Sequence, residues 1–160
     1  MSSEQSINER LIKKFPILEG KSAVRRVRRV WVDIPYASFP EVLDFLSKDL
    51  KCTILCGITG LDEGEQFAVM YHLANADGTV VNAKTFVPRG APVLASVTDR
   101  FPCAELYERE LVDLFGIDVK GLRPGKRYPL PDDWPQGEYP LRKDWKQPVK
   151  GGTKFEVRGT

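Results

Sequence analysis

Hydrophobic residues recur at helical spacing near the N-terminus and again before the middle of the chain. Residues 6–15 place Ile7, Leu11, Ile12 and Phe15 on one side of a helix. A second helix is predicted over residues 38–50, where Ser38 can act as the N-cap and Glu41 can close a capping box. Its apolar side would be buried and consists of Val42, Leu43, Phe45, Leu46 and Leu50.

Alternating patterns predict strands between and after these helices. Residues 24–34 alternate as one strand, residues 51–59 form another, and residues 66–74 and 79–87 form a pair joined by the loop at 75–78. Residues 60–64 are rich in Gly and acidic residues and predict a turn, and residues 93–98 are expected to form a short helix. Because hairpins dominate, the pattern favours an α+β fold with a mostly antiparallel sheet and helices packed on one face.

The last amphipathic segment, residues 103–115, predicts a third helix that ends at Gly116. Beyond Gly121 regular structure is not expected, because half of the chain's 12 prolines lie in the last 40 residues. We therefore predict a globular domain over residues 1–120 and an extended, basic, Pro-rich C-terminal arm over residues 121–160. Phe155 and Val157 could add one more contact near its end.

The predicted third helix is rich in acidic residues, and the arm that follows it is rich in basic residues. Glu105 precedes Arg109 by four residues, which is the favourable order for a helical ion pair. Glu110 or Asp113 could pair with Arg123 or Arg127 and hold the root of the arm, although a solvated helix face beside a basic tail would leave the same pattern. An arm with few aliphatic residues is expected to become ordered on another protein through aromatic and arginine anchors.

Composition narrows the class of protein. The chain has 160 residues, 42% hydrophobic and 29% charged, with a net charge of +2, which is ordinary for a globular domain. No apolar run approaches the length of a membrane span, no secretory signal is visible, and three cysteines without framework spacing indicate a reducing compartment. We expect a cytoplasmic protein that reaches a membrane only through partner subunits.

The sequence contains no convincing catalytic or metal-binding set. Cys52 and Cys56 are too far apart on a strand to share one ion, and the three cysteines are fewer than an iron–sulfur cluster requires. A nucleophilic pair of Cys103 with His72, the single histidine, has no supporting motif, so a stand-alone enzyme is a remote alternative.

A cluster of arginines between Arg25 and Trp31 invites a further alternative, an RNA-binding module. In a strand these arginines fall on both faces, two on each, so they do not form the single basic stripe that nucleic acid would favour.

Two separated motifs resemble a known family. They comprise Glu108-Arg109-Glu110, Asp113-Leu114-Phe115-Gly116-Ile117, Gly121, Lys126-Arg127 and Pro140-Leu141-Arg142-Lys143-Asp144. This order is similar to the 30 kDa subunit family of respiratory complex I, the NADH-quinone oxidoreductase, which includes domains of energy-converting nickel-iron hydrogenases and formate hydrogenlyase. Complex I members usually have His-Pro where Leu122-Arg123 stand here. That difference, with the segment at 130–135, is more similar to the hydrogenase branch, and complex I is the alternative.

The resemblance implies a structural or assembly subunit without a cofactor of its own. It implies a peripheral position on the cytoplasmic side of a membrane-bound redox complex, docked on the large catalytic subunit beside the small iron–sulfur subunit. The nickel-iron centre and the iron–sulfur clusters are expected in those partners. With the charge pattern, it predicts that the arm wraps the large subunit through Trp134, Tyr139, Arg142, Lys143 and Trp145, its root being held by Glu108, Arg109, Glu110, Asp113, Arg123 and Arg127. Arg142→Ala would then weaken the complex without lowering the melting temperature of the isolated chain.

Overall fold

The computed structural model describes residues 2–146. Its helices are α1 (Ser3–Lys14), α2 (Phe39–Lys48) and α3 (Ala104–Phe115), with short 3-10 turns at Pro16–Leu18 and Tyr36–Ser38. Its strands are β1 (Ser22–Arg26), β2 (Arg29–Ile34), β3 (Ile54–Asp62), β4 (Gln66–Ala74), β5 (Val80–Pro88), β6 (Val93–Ala95) and β7 (Asp118–Lys120).

Five strands form one sheet in the order β1-β2-β5-β4-β3. All neighbours are antiparallel except β2 and β5, which run parallel, and β6 pairs with β7 in a separate two-stranded parallel ladder. One face of the large sheet contributes alternate residues to the core, among them Val30, Val32, Phe67, Val69, Val81 and Ala83. The helices pack their apolar sides on this face, so the prediction of an α+β fold is confirmed.

The predicted strand at 24–34 is in fact a hairpin. β1 and β2 are joined by a two-residue turn at Val27 and Arg28, and Arg28 has a φ of 58°. The alternation of Val30, Val32 and Ile34 predicted the second half correctly, but no Gly or Asn marks the turn. Because a non-glycine residue rarely adopts a positive φ, sequence patterns give no warning of such a turn.

Residues 93–95 form strand β6, so the predicted helix at 93–98 is wrong. The Asp118 N–H donates to the Pro92 carbonyl at 2.8 Å and the Ser96 N–H donates to the Lys120 carbonyl at 2.7 Å, which extends the ladder at both ends. These partners lie more than 20 residues away in the chain, and the strand is therefore a product of tertiary pairing.

Helix starts and strand ends also differ from the prediction in detail. The capping box lies at Ser2 and Gln5, so α1 begins at Ser3, whereas Ser38 lies in a 3-10 turn and makes no side-chain cap. β3 runs from Ile54 to Asp62, later than predicted, and Gly60 lies within it. A side chain at Gly60 would collide with Phe115, whose Cε2 would stand 2.5 Å from the new Cβ, so this glycine allows α3 to lie close to the sheet.

Candidate functional site

Glu108 is buried on the inner side of α3, where it bonds to the segment after β6. Its carboxylate accepts hydrogen bonds from the Val97 N–H at 2.6 Å and the Ser96 hydroxyl at 2.7 Å. Burial raises the pKa of Glu108, although these two hydrogen bonds oppose the shift. Glu108 lies on the same side of the helix as Leu111 and Phe115. Glu108 therefore joins α3 to the segment after β6. The expectation that it holds the root of the arm does not agree with these contacts.

Arg109 connects α3 to the start of the arm. Its guanidinium pairs with Glu105 at 2.7 Å, as the spacing predicts, and donates to the carbonyl oxygen of Arg123 at 2.9 Å. A Cβ at Gly125 would overlap the Arg109 guanidinium, so a side chain at position 125 would displace the guanidinium from its present contacts. Arg109 is thus a positioning residue for the arm.

Asp113 and Arg127 form the ion pair that the sequence left open among four combinations. The Arg127 Nε lies 3.1 Å from Asp113 Oδ1, and the other carboxylate oxygen accepts from the Leu130 N–H at 3.2 Å. Arg127 also donates to the Trp134 carbonyl at 2.8 Å. Within residues 2–146, Glu110 forms no ion pair. Arg123 contributes its carbonyl oxygen rather than its charge.

Arg142 lies between the arm and the domain. Its Nε donates to the Phe115 carbonyl at 2.7 Å, one of the carbonyls left open at the C-terminal end of α3. The guanidinium stacks 5.1 Å from the ring centre of Phe67 and 4.3 Å from that of Tyr139. A Cβ at Gly116 would overlap Tyr139, so the glycine that ends α3 also makes room for the arm. Arg142 is therefore engaged within its own chain, contrary to the expectation that it reaches only a partner.

A second ion-pair cluster, which sequence reasoning missed, fastens the end of the described arm. Arg89 donates to the buried Asp62 at 2.8 Å and to Asp144 at 2.5 Å, and the Lys143 N–H donates to Asp62 at 2.8 Å. Burial by itself raises the pKa of Asp62, but the hydrogen bonds from Arg89, Lys143 and Gly64 together lower it to about 2. Apart from the Gly64 N–H, which is two residues from Asp62, the partners in this cluster lie 27 to 81 residues apart in the chain, so no local motif predicts it.

The two tryptophans of the arm pack beside each other. The ring centres of Trp134 and Trp145 are 6.0 Å apart, and Glu138 accepts from both indoles, through its carbonyl at 2.9 Å and its carboxylate at 2.6 Å. Both side chains are half-buried by the arm itself, whereas Leu141 and Tyr128 project outwards, with 52% and 41% of their surface exposed. The described arm thus has an inner side that fastens it to the domain and an outer side that is open. The possible contacts of Phe155 and Val157 lie outside the described residues.

A groove of about 510 Å³ opens between the arm and the C-terminal end of α3. It is lined by apolar, polar and charged groups, which include Val112, Asp113, Ile117, Asp118, Arg127 and Tyr139. Residues 2–146 contain no group of three His, Cys, Asp or Glu side chains that could hold a metal ion. In the same range no helix is long and apolar enough to cross a membrane.

His72 and Cys103 occupy separate environments. The His72 ring bonds to Asn82 at 2.6 Å and to Thr59 at 2.9 Å in the middle of the sheet, whereas Cys103 is exposed at the start of α3. Both ring nitrogens are therefore occupied by strand neighbours. The geometry within the described residues gives no support to a catalytic pair.

Comparison with known proteins identifies the family. Residues 32–150 match the family described as respiratory-chain NADH dehydrogenase, 30 Kd subunit. The chain is similar to a subunit of the F(420)H(2) dehydrogenase of Methanosarcina mazei, with 33% identity over 138 residues that cover 82% of this chain and 87% of the relative. It is also similar to the membrane-bound hydrogenase subunit beta of Pyrococcus furiosus, with 29% identity over 144 residues that cover 86% and 83% of the two chains.

A solved structure shares the fold. A chain in the membrane-bound sulfane sulfur reductase, described as an archaeal respiratory membrane complex, aligns with a TM-score of 0.78 at 24% identity and covers 98% of both chains. The motifs around α3 and the arm lie inside the matched range of the family. This chain belongs to the 30 kDa subunit family of the respiratory-chain NADH dehydrogenase, whose relatives are subunits of complex I-like respiratory and hydrogenase complexes.

Proposed function

We propose that this chain is a structural and assembly subunit, without a cofactor of its own, in the peripheral part of a membrane-bound energy-converting redox complex. The observation that carries the proposal is the ordered arm, whose inner side is fastened to α3 and the sheet while its outer side is open. Family membership supports a role as a subunit, since the similar proteins carry that word in their names.

The outer side of the arm is the surface that we assign to the large catalytic subunit. Leu141 and Tyr128 expose apolar area there, and Trp134, Tyr139 and Trp145 are each partly exposed. Aromatic and aliphatic side chains on a firm backbone suit the centre of a protein interface, because little conformational entropy is lost on binding. The groove beside Val112 and Asp118 would receive a protruding segment of the partner.

The sequence of the arm favours a hydrogenase of the complex I-like type. Leu122 and the segment at 130–135 support this branch, and an NADH:quinone oxidoreductase is the alternative. In either complex the large subunit would be the neighbour of the arm, and the small iron–sulfur subunit would lie beside it. The nickel-iron centre, if the hydrogenase branch is right, and the iron–sulfur clusters would belong to those partners. This chain would be peripheral and would lie on the cytoplasmic side of the cell membrane, as part of the membrane-bound complex.

Affinity purification of the tagged chain from its native membranes in mild detergent, followed by mass spectrometry, tests the proposal. We expect a large subunit and a small iron–sulfur subunit to be recovered together with the chain. Partners with nickel-iron ligand cysteines would identify a hydrogenase, and flavin and NADH-binding partners would identify complex I. Recovery of the chain alone would overturn the proposal.

A variant at the outer side of the arm tests the assigned surface. Leu141→Asp should reduce recovery of the large subunit at least about tenfold, because a charge would be buried in the interface. The stability of the isolated chain should change little, since Leu141 is 52% exposed and the substitution keeps its N–H, which donates to the Leu114 carbonyl. Leu106→Asp is the matched control, at a leucine of similar exposure in the first turn of α3. Equal losses from both variants would show that the arm is not the docking surface.

A further inference from the structure

The large sheet has one face that none of the described helices covers. Its residues are those that alternate with the core positions, and cross-strand pairing aligns them in rows such as Leu61–Ala68–Phe86 and His72–Asn82–Trp31. In the middle of this face, Ala68 and Met70 are buried. The edge at β1 and β2 is different, because large and charged side chains stand exposed there.

Two arginines face each other across the hairpin at this edge. Arg26 of β1 is the direct partner of Arg29 of β2, and Arg29 lies on the uncovered face because Val30 and Val32 point into the core. Like charges directly opposite each other on a sheet destabilise the pairing. No carboxylate within residues 2–146 forms a salt bridge with either guanidinium. Within the described residues, therefore, no ion pair offsets the repulsion between these two guanidinium groups.

Trp31 lies next to this pair on the same face. It is two residues after Arg29 along β2, it is 39% exposed, and its cross-strand neighbour on β1 is only Ala23. Tryptophan and arginine are both enriched among the energetically dominant residues of protein interfaces. The two guanidinium forks suit bidentate binding of carboxylates.

The other charges on this face indicate a protein partner. Asp33 follows Trp31 on the same face and is exposed, and the Glu63 carboxylate, next to the sheet at the end of β3, pairs with Lys84 at 2.5 Å. Asp33, four residues after Arg29 on the same strand, interrupts the positive charge of this face, which is therefore less suited to the continuous phosphates of a nucleic acid or the headgroups of an anionic membrane. A folded protein surface can place one or two acidic side chains at the arginines and avoid the others.

We propose that Arg26, Arg29 and Trp31 form a second docking site, which binds an acidic segment of a neighbouring protein subunit. It is separate from the contact of the arm with the large subunit, and it rests on the proposed function only in that the chain is part of a complex. The segment would place carboxylates on the two guanidinium groups and an apolar side chain against the indole of Trp31. Binding would relieve the repulsion between Arg26 and Arg29.

Zero-length cross-linking of the native complex tests this site. The double substitution Arg26→Lys with Arg29→Lys keeps the charge and provides primary amines, which a water-soluble carbodiimide couples to carboxylates in direct contact. We expect a cross-link from residue 26 or 29 to an Asp or Glu of another subunit, identified by mass spectrometry. Arg10→Lys, on α1 at the covered side of the sheet, is the control and should not cross-link to that segment.

Charge reversal provides an independent readout. Arg26→Glu with Arg29→Glu should reduce recovery of the cross-linked subunit at least about tenfold while the subunit bound by the arm is retained. An intact complex without a cross-link from these positions, or with nuclease-sensitive RNA as the only partner of the hairpin, would overturn this site alone. Recovery of the wild-type chain without any subunit would instead overturn the proposed function, and this inference with it.

Discussion

The contact of a single arm residue, Arg142, with the end of α3 contributes to how the arm is held. Arg142 combines a hydrogen bond to the Phe115 carbonyl with stacking on two aromatic rings, and these contacts belong to the isolated chain. The prediction that Arg142 contacts the partner subunit, without affecting the stability of the isolated chain, assumed that its side chain is exposed. In the structure it is a half-buried part of the domain surface, so a substitution there acts on folding first.

Arg142→Ala should lower the free energy of unfolding by about 2 kcal/mol, because it removes a charge-assisted hydrogen bond and two cation–π contacts. Urea denaturation of the isolated chain measures this loss. Lys143→Ala is the matched control, since only the backbone N–H of Lys143 contacts Asp62 and its side chain is exposed. Unchanged stability of the Arg142 variant would show that the arm is not fastened in solution.

Asp62 predicts an acid-dependent loss of stability. Its pKa is about 2 in the folded chain and 3.8 in the reference state, so the ionised form stabilises the fold above the reference value. This contribution should disappear as the pH falls from 3.8 to 2. Measured unfolding free energies of the wild type should therefore decline more steeply across that interval than those of Asp62→Asn. Parallel pH profiles would contradict the proposed role of the Arg89 ion pair.

At the scale of the element, α3 joins three parts of the molecule. Its buried side contacts β3 and, through Glu108, the segment after β6, while Arg109 and Asp113 hold the first part of the arm. Its last carbonyl, that of Phe115, accepts a hydrogen bond from Arg142, and Gly116 lies directly against Tyr139. The helix was predictable because its periodicity and its C-terminal glycine are local signals. The elements that pack against α3 were not predictable, because the sequence of the helix does not specify which other segment lies on each of its sides.

Gly116→Ala should destabilise the chain by about 2 kcal/mol or more. The new methyl group would strain a residue with a φ of 68° and would also collide with Tyr139 and Arg142. Gly137→Ala is the control, since Gly137 has a φ of 81° but open space around it, and it should cost about 1 kcal/mol. Thermal or urea denaturation compares the two variants. Equal losses would mean that the arm does not press on the end of α3.

At the scale of the whole molecule, the described arm and the domain form one folded body. The arm has few aliphatic residues, but it is ordered by ion pairs and backbone hydrogen bonds to α3, to Asp62 at the end of β3 and to Arg89 after β5. The boundary predicted at residue 120 marks a change of composition. In the structure, residues after it bond to residues before it, as Arg127 does to Asp113 and Lys143 to Asp62. A partner would therefore meet a surface that is already arranged, and it would pay less entropy on binding.

Amide hydrogen exchange of the isolated chain tests this arrangement. The Leu130 and Lys143 N–H groups donate to Asp113 and Asp62, so they should be protected to within about tenfold of the amides in α3. The Asp132 N–H, which has no hydrogen bond within residues 2–146, should exchange fast and serves as the internal reference. If the first two amides exchange as fast as Asp132, the arm is free before it meets a partner.

The sequence alone determined the elements whose signals are local. The periodicity of α3 and the alternation of Val30, Val32 and Ile34 in β2 each specify a face, and the loop at 75–78 is defined by Asn75 accepting from the Asp77 and Thr79 N–H groups. The motifs of α3 and the arm also identified the family. These features depend on residues a few positions apart, so a single stretch of chain contains all of the necessary information.

Only the tertiary structure decided which side chains meet. β6 became a strand because β7 pairs with it, and Glu108 turned towards Val97 while Asp113, five residues later, received Arg127. Lys143 reaches Asp62 across 81 positions of the chain. The energy of such contacts depends on the burial and geometry of both partners, and neither quantity is expressed in the sequence around one of them.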